Sequence, residues 1–234
     1  MPLPSFRIIG RGIYSLAEAH RLTGVPTGRI RRWTGGYEFA SKSRRKFSPA
    51  LVSTSVSAEV GAPALDFADL LEIRFLNAFR EYGVSWKAIR IAAERARDLT
   101  GLSHPFSNRR FSTDGRTILL QFVSETGDEH LLDLVESQYE IERLISRYLH
   151  GEIEFDDRDA PRRWWPVNGK RSIVVDPQRA FGTPIVDAAG VPTRVLANAV
   201  DAEESIEVVA DLFGVDPVAV AEAVEFELTL STHR

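Results

Sequence analysis

The sequence predicts a mainly α protein with a minor α+β component. An N-terminal winged helix-turn-helix domain with a β-hairpin is expected over residues 1–150, a linker over 151–170, and a small hairpin plus three-helix domain over 171–234. Three observations predict this. Apolar residues recur every three and four positions over several long stretches, which is the helical period. Short apolar runs beside Gly, Asp and Pro read as strand pairs. A turn, Gly24-Val25-Pro26, returns as Gly83-Val84-Ser85 and again as Gly214-Val215-Asp216-Pro217. In each copy glycine ends one helix, valine fills the angle, and the next residues start another helix.

In chain order, Ser15 and Glu18 form a capping box that starts a helix with Leu16, Ala19 and Leu22 on one face. Gly24 ends it, and Pro26 opens a second helix whose buried side is Ile30 and Trp33. Gly35 and Gly36 turn the chain into the basic stretch Lys42 to Lys46, expected as a loop or wing, and residues 48–64 read as a linker or extended crossing. Asp66 caps a strong helix through Tyr82 whose apolar face is wide enough to be buried between two partners. A helix from Trp86 follows, with Lys87, Arg90, Arg95 and Arg97 outside. Asp114-Gly115 predicts a hairpin between 109–113 and 116–122, and Leu131 to Val135 a further strand. Ile141, Leu144, Ile145, Tyr148 and Leu149 predict a helix ended by Gly151. The last part reads as strands at 173–175 and 184–186, then helices at 193–200, 205–213 and 217–228, the last two burying Phe213 and Leu228 among others.

Composition narrows the chemistry. The absence of Cys excludes disulfides and thiolate metal sites, and the five His have no HxH or HExxH spacing, so no metal and no cofactor is expected. No apolar run is long enough to cross a membrane, and Pro2, Pro4, Arg7 and Arg11 are unlike a signal peptide, so a cytoplasmic protein is expected. The net charge of −4 conceals a division along the chain. Residues 1–50 hold ten Lys or Arg against two Asp or Glu, net +8; residues 51–150 hold 11 against 15, net −4; residues 151–234 hold eight against 16, net −8. One end is suited to phosphates and the other to something else.

Two stretches carry resemblances. Ile173-Val174-Val175-Asp176-Pro177, Phe181-Gly182-Thr183-Pro184-Ile185-Val186 and Val191-Pro192-Thr193-Arg194-Val195, followed by two short helices around Gly214, resemble the VapB-type antitoxins over 171–228. The turn Asp187-Ala188-Ala189-Gly190 is longer than the tight glycine turn of that pattern. The resemblance implies a compact hairpin and trihelical fold paired with a ribonuclease toxin of the PIN-domain, VapC type. Tyr14 to Ala19, Thr23-Gly24-Val25, Arg31-Arg32-Trp33 and Gly36-Tyr37 look like the winged helix-turn-helix of MerR-type regulators. Together they imply a non-enzymatic antitoxin that blocks its toxin and represses its own operon.

The residues expected to meet operator DNA are Thr27, Arg29, Arg31, Arg32, Tyr37, Lys42, Arg44, Arg45 and Lys46. Arg29 and Arg32, three apart, could point together to base edges, while the basic cluster would meet phosphates or the minor groove. A solvated basic face is the plain reading of such a helix; the preceding turn and the scarcity of acids favour DNA. Arg162, Arg163, Trp164 and Trp165 read either as a cap on the domain junction, the commoner fate of tryptophan, or as a toxin anchor. The acids between Glu152 and Asp159 are expected to be a solvated linker rather than a Mg²⁺ site. A homodimer is expected, with the 66–82 helix as material for its interface. The alternative is a MerR-like regulator that senses a small effector and has no toxin.

Overall fold

The structure, a computed structural model, describes residues 10–41, 44–54, 56–148 and 152–232. It is mostly helical with small antiparallel hairpins. The strand β1 (Tyr14–Ser15) leads into α1 (Leu16–Thr23) and, after Gly24, α2 (Thr27–Gly35). A hairpin follows, β2 (Tyr37–Ser41) and β3 (Arg44–Ser48), then α3 (Val56–Val60) and β4 (Ala64–Leu65), which pairs back with β1. Residues 48–64 therefore cross the head and return to its start, with Leu51 and Val52 buried. The capping box of Ser15 and Glu18 is present on both sides, and the valines of the three repeated turns, Val25, Val84 and Val215, are all buried.

At the centre lies α4 (Phe67–Glu81), capped by Asp66 and Asp69 reciprocally. Its buried residues run all round the helix, from Phe67, Leu70 and Leu71 through Ile73, Phe75 and Leu76 to Ala78 and Phe79. The sequence expected this face to be enclosed, and it is enclosed by this chain itself. It is not available as the dimer interface also considered for it. Around it stand α5 (Trp86–Thr100), α6 (Arg109–Leu120), α7 (Val123–Thr126), α8 (Glu129–Glu136) and α9 (Gln138–Tyr148). Phe75, Phe79, Phe106 and Phe111 meet edge-to-face or stacked, with ring centroids 4.9 to 5.8 Å apart.

Two strand expectations are overturned here. Asp114-Gly115 lies inside α6, not at a hairpin turn. Asn108 caps that helix, and its buried residues Phe111, Gly115, Ile118 and Leu119 keep the helical period. A Cβ at Gly115 would stand 2.9 Å from Ile145 Cδ1, so this glycine lets α6 and α9 approach closely rather than turning the chain. Leu131 to Val135 is helical too, capped by Asp128, with Leu131, Leu134 and Val135 inward. The α9 helix buries Ile141, Leu144 and Ile145 as expected, while Leu149 and Gly151 lie outside the described residues.

The stretch expected as a linker is a hairpin. β5 (Ile153–Phe155) pairs with β6 (Pro161–Trp164), and Trp164 then exchanges backbone hydrogen bonds of 3.0 and 2.8 Å with Val175. That bond joins it to the pair β7 (Ile173–Val174) and β8 (Ile185–Val186). Period-two alternation divides this region: Ile173 and Val175 enter the main core, while Val174 packs with Trp165 and Ile185. The helices α10 (Thr193–Glu203), α11 (Ile206–Phe213) and α12 (Pro217–Ser231) close around a second core of Leu196, Val209, Ala210, Val215, Val220 and Ala223. Phe213 and Leu228, expected inside, are exposed: Val209 and Ala210 take the inner side of α11, and Val220, Ala223, Phe226 and Leu230 that of α12.

Head and tail are fastened directly. The Tyr14 hydroxyl donates to Gly182 O at 3.0 Å in a buried contact, and Arg21 of α1 pairs with Glu227 of α12 at 2.6 Å. Gly182 has φ +82°, and a Cβ there would collide with the Tyr14 ring. Phe226 and Leu230 of α12 belong to the main core as well.

The core also holds ionisable groups. His104 Nε2 lies 2.7 Å from Asp69 Oδ1, and Glu72 Oε2 accepts from the Ser107 amide at 2.9 Å. Burial alone would discharge His104; the Asp69 bond and the Glu72 charge reverse this and raise its pKa. Burial pushes the Glu72 carboxyl up from 4.5 to about 7, against the lowering effects of His104 and the Ser107 amide. A carboxyl with a raised folded pKa takes up a proton on folding. Its stabilising contribution is complete below 4.5 and is lost as pH rises through about 7. Glu72→Gln is therefore expected to raise the Tm above pH ~7 and to change it little near pH ~5. Thermal unfolding across that range checks this, and parallel profiles for the two proteins would show that Glu72 does not titrate there.

Candidate nucleic-acid interface

The basic segment folds into a helix and a wing that share one surface. Pro26 starts α2, and Ile30 and Trp33 anchor it to the core. The opposite strip is Gly28, Arg31, Arg32 and Gly35, all exposed. Thr27 is half-buried at its head. A Cβ at Gly28 or Gly35 would meet nothing within 4 Å, so the strip stays low beside the two arginines. A low ridge with two long cations is a shape a groove admits. Among the described residues no carboxylate pairs with Arg31, Arg32 or Lys46.

Arg29 is placed differently from its neighbours. Its Nη1 donates to Asn77 Oδ1 of α4 at 2.6 Å, and its guanidinium lies 6.0 Å from the Trp33 ring centroid. It does line the same cavity as Arg32, about 230 Å³ in volume and shared with Trp33, Tyr37, Arg80 and Trp86. Arg29 and Arg32 thus share a cavity wall, but Arg29 is held by the core helix while Arg32 is exposed.

The wing is fixed at both ends. Gly36 leaves α2 at φ +72°, and a Cβ there would lie 2.6 Å from Ser48 O and 2.7 Å from the Phe47 ring. Only glycine allows the strands to start so close to the helix. At the far end Arg90 of α5 donates to Ser48 Oγ at 3.0 Å and Pro49 O at 2.9 Å, Arg97 donates to Leu51 O, and the Leu51 and Val52 amides donate to Trp33 O. Trp33 stacks on Trp86 with 5.3 Å between centroids and 6° between planes. The second helix-turn-helix unit therefore supports the first and its wing, and two of its outer arginines serve as props.

Along the wing, Arg45 stands opposite Ala40 and Lys46 opposite Phe39, with Arg45, Lys46, Phe39 and Phe47 exposed. Arg45 reaches Glu38 at 3.4 Å, but both are so exposed that this bond competes weakly with phosphate. Tyr37 is half-buried with the Arg32 guanidinium 6.0 Å from its centroid. The backbone of Arg44 pairs with Ser41, and Lys42 lies outside the described residues. Sequence reasoning did not single out Asn77 and Arg80, whose role comes from the packing of α4 under α2 and has no local signature.

The other candidate cluster is divided among internal tasks. Trp164 and Trp165 are buried, 2% and 4% exposed, with the Arg74 and Arg171 guanidinium groups 4.8 and 4.4 Å from their respective rings. Arg163 donates to Asp176 at 2.8 Å and Arg162 to Glu154 at 3.3 Å. The acids at 152–159 are also engaged: Glu152 pairs with Arg74 at 2.6 Å, and Asp156 accepts from the amides of Arg158 and Ala160. Among the described residues no His, Asp and Glu cluster could hold a metal ion, and no helix is long and apolar enough to cross a membrane.

Residues 12–93 match the family model described as "Putative DNA-binding HTH domain". The chain is 30% identical over 223 residues to "Putative antitoxin VapB45" of Mycobacterium tuberculosis, covering 91% of this chain and 92% of that protein. The chain belongs to the VapB45 family. It is an antitoxin-like protein with a helix-turn-helix DNA-binding domain. "Uncharacterized protein Rv2308" of the same organism is 26% identical over 94% of this chain and 91% of its own length. The crystal structure of Rv2018 from M. tuberculosis superposes with a TM-score of 0.67 at 27% identity, covering 90% of this chain and 96% of that one.

Arg31 and Arg32 stand exposed, whereas Arg29 is bonded to the core helix. Arg31→Ala and Arg32→Ala are each expected to weaken DNA binding with unchanged thermal stability, and to make the slope of log K against log salt shallower by about one where a phosphate contact is lost. Arg29→Ala is expected to lower the Tm as well, since it releases Asn77. Fluorescence anisotropy with duplex DNA at several salt concentrations, beside thermal unfolding, distinguishes the two outcomes.

Proposed function

We propose that this VapB45-family chain is the antitoxin of a type II toxin-antitoxin pair, that it neutralises a PIN-domain ribonuclease by direct binding, and that it represses its own operon. The observation that carries this is the match to VapB45 along nearly the whole chain, head and tail together. The charge division supports it: the +8 segment includes the basic helix and wing, and the −8 segment includes the tail. In this reading the head has the MerR-like winged arrangement, the protein acts as a homodimer on a two-fold operator, and it works by binding rather than by catalysis. With α4 enclosed, the two-fold contact lies on another surface.

A second reading, a regulator that senses a small effector, is favoured by one feature. A cavity of about 380 Å³ lies where α1, the 164–170 segment and α12 meet, lined by Leu22, Trp164, Val167, Phe226 and Leu230 among others. A ligand there would touch the first helix of the DNA-binding unit and the last helix of the tail at once.

Purification of the full chain from its native cells under gentle conditions tests the first reading. Co-elution of a small Mg²⁺-dependent ribonuclease, whose RNA cleavage stops on adding back the pure chain, is the expected result, together with retardation of DNA from the chain's own promoter. A chain that shifts that DNA yet neither carries nor inhibits a ribonuclease would remove the antitoxin role and leave the regulator.

A further inference from the structure

The tail has one face that its own fold leaves uncovered. Between Val195 and Thr232 the sequence has nine Asp or Glu and no Lys or Arg. Two of the nine are engaged inward: Glu222 with Lys170 at 2.7 Å, and Glu227 with Arg21 at 2.6 Å and the Thr193 hydroxyl, also at 2.6 Å. The other seven, from Asp201 to Glu225, are exposed. In the same unit Val208, Leu212 and Val218 are 45%, 66% and 67% exposed. Val208 and Leu212 are one turn apart on the outside of α11, whose inner side is Val209 and Ala210, and Val218 opens α12 just beyond the Gly214 turn.

Single exposed apolar residues are ordinary, but a group of them ringed by charge of one sign marks an interaction surface. The sign decides what covers it. DNA and anionic lipid are repelled by the exposed carboxylates, and so is the same face of a second copy. A protein with an apolar contact surface and a Lys or Arg margin is complementary to it.

We propose that the outer face of α11 and the start of α12, centred on Val208, Leu212 and Val218, docks a partner protein of that chemistry. The proposal rests on the antitoxin reading only in taking this partner to be the toxin, and it moves the contact away from Trp164 and Trp165, which are buried. Asp211, beside Leu212, supplies part of the margin, and Glu207 stands one turn before it on the same face.

The test is a photoreactive phenylalanine analogue placed at Leu212 of the full chain in its native host, with the same analogue at exposed Tyr139 of α9 as control. One dominant adduct is expected from position 212 and none from 139. Glu207→Lys combined with Asp211→Lys should reduce the adduct at least tenfold while Tm and DNA retardation stay unchanged. Equal adducts at both positions, an adduct that is a second copy of this chain, or an adduct indifferent to the charge reversal would overturn the proposal. A basic partner without ribonuclease activity would keep this surface and remove the toxin reading. A co-purifying ribonuclease that tolerates the reversal would do the opposite.

Discussion

A helix with no free side constrains everything built around it. Because α4 buries Phe67, Leu70, Ile73, Phe75, Leu76 and Phe79 around its circumference, the rest of the chain must enclose it rather than pack on one face. Its polar residues then need partners brought from far along the chain, since a buried polar group without one is costly. Asp69 meets His104, Glu72 meets the Ser107 amide, and Asn77 meets Arg29 as well as Glu81 of its own helix. The bonds to His104, Ser107 and Arg29 each hold a segment outside α4. Through Asn77 the core helix sets the placement of α2, and through Arg74 it reaches Glu152 and the ring of Trp164.

This enclosure makes one frame of what looks, in charge, like two unlike halves. The head's first helix is tied to the tail's last by Arg21 and Glu227, and Glu227 also accepts from Thr193, the first residue of α10. Tyr14 closes the same seam through Gly182. A basic surface and an acidic surface are thus carried at defined positions on a common core, so that occupation of one bears on a structure continuous with the other. The repeated glycine-valine turn shows how the same supersecondary unit serves different ends. The first copy presents arginines, the second supplies Trp86 and Arg90 beneath them, and the third sits among carboxylates.

Much of this was legible locally. The Ser15 capping box, the buried Ile30 and Trp33, the helix after Asp66, the wing position and the three tail helices all follow from side chains a few residues apart. The misreadings share a cause. Gly115 was read for what glycine does to a backbone, whereas here the missing side chain makes room for Ile145. The acids between Glu152 and Asp159 are expected to be solvated because they are a run of like charges, yet Glu152 and Asp156 each have an internal partner. On the basic helix, the outward placement of Arg31 and Arg32 follows from the helical period, but the diversion of Arg29 to Asn77 depends on a residue 48 positions away.

The sequence by itself determined the helical character, the charge asymmetry, the placement of helix starts and stops, and the basic helix and wing, because capping, periodicity and charge are local or additive properties. Only the tertiary structure decided which charges remain free. The arginines of the second unit brace the wing, the tryptophan pair joins the core, and seven carboxylates of the tail stay exposed, because pairing and burial depend on what a distant segment brings within reach.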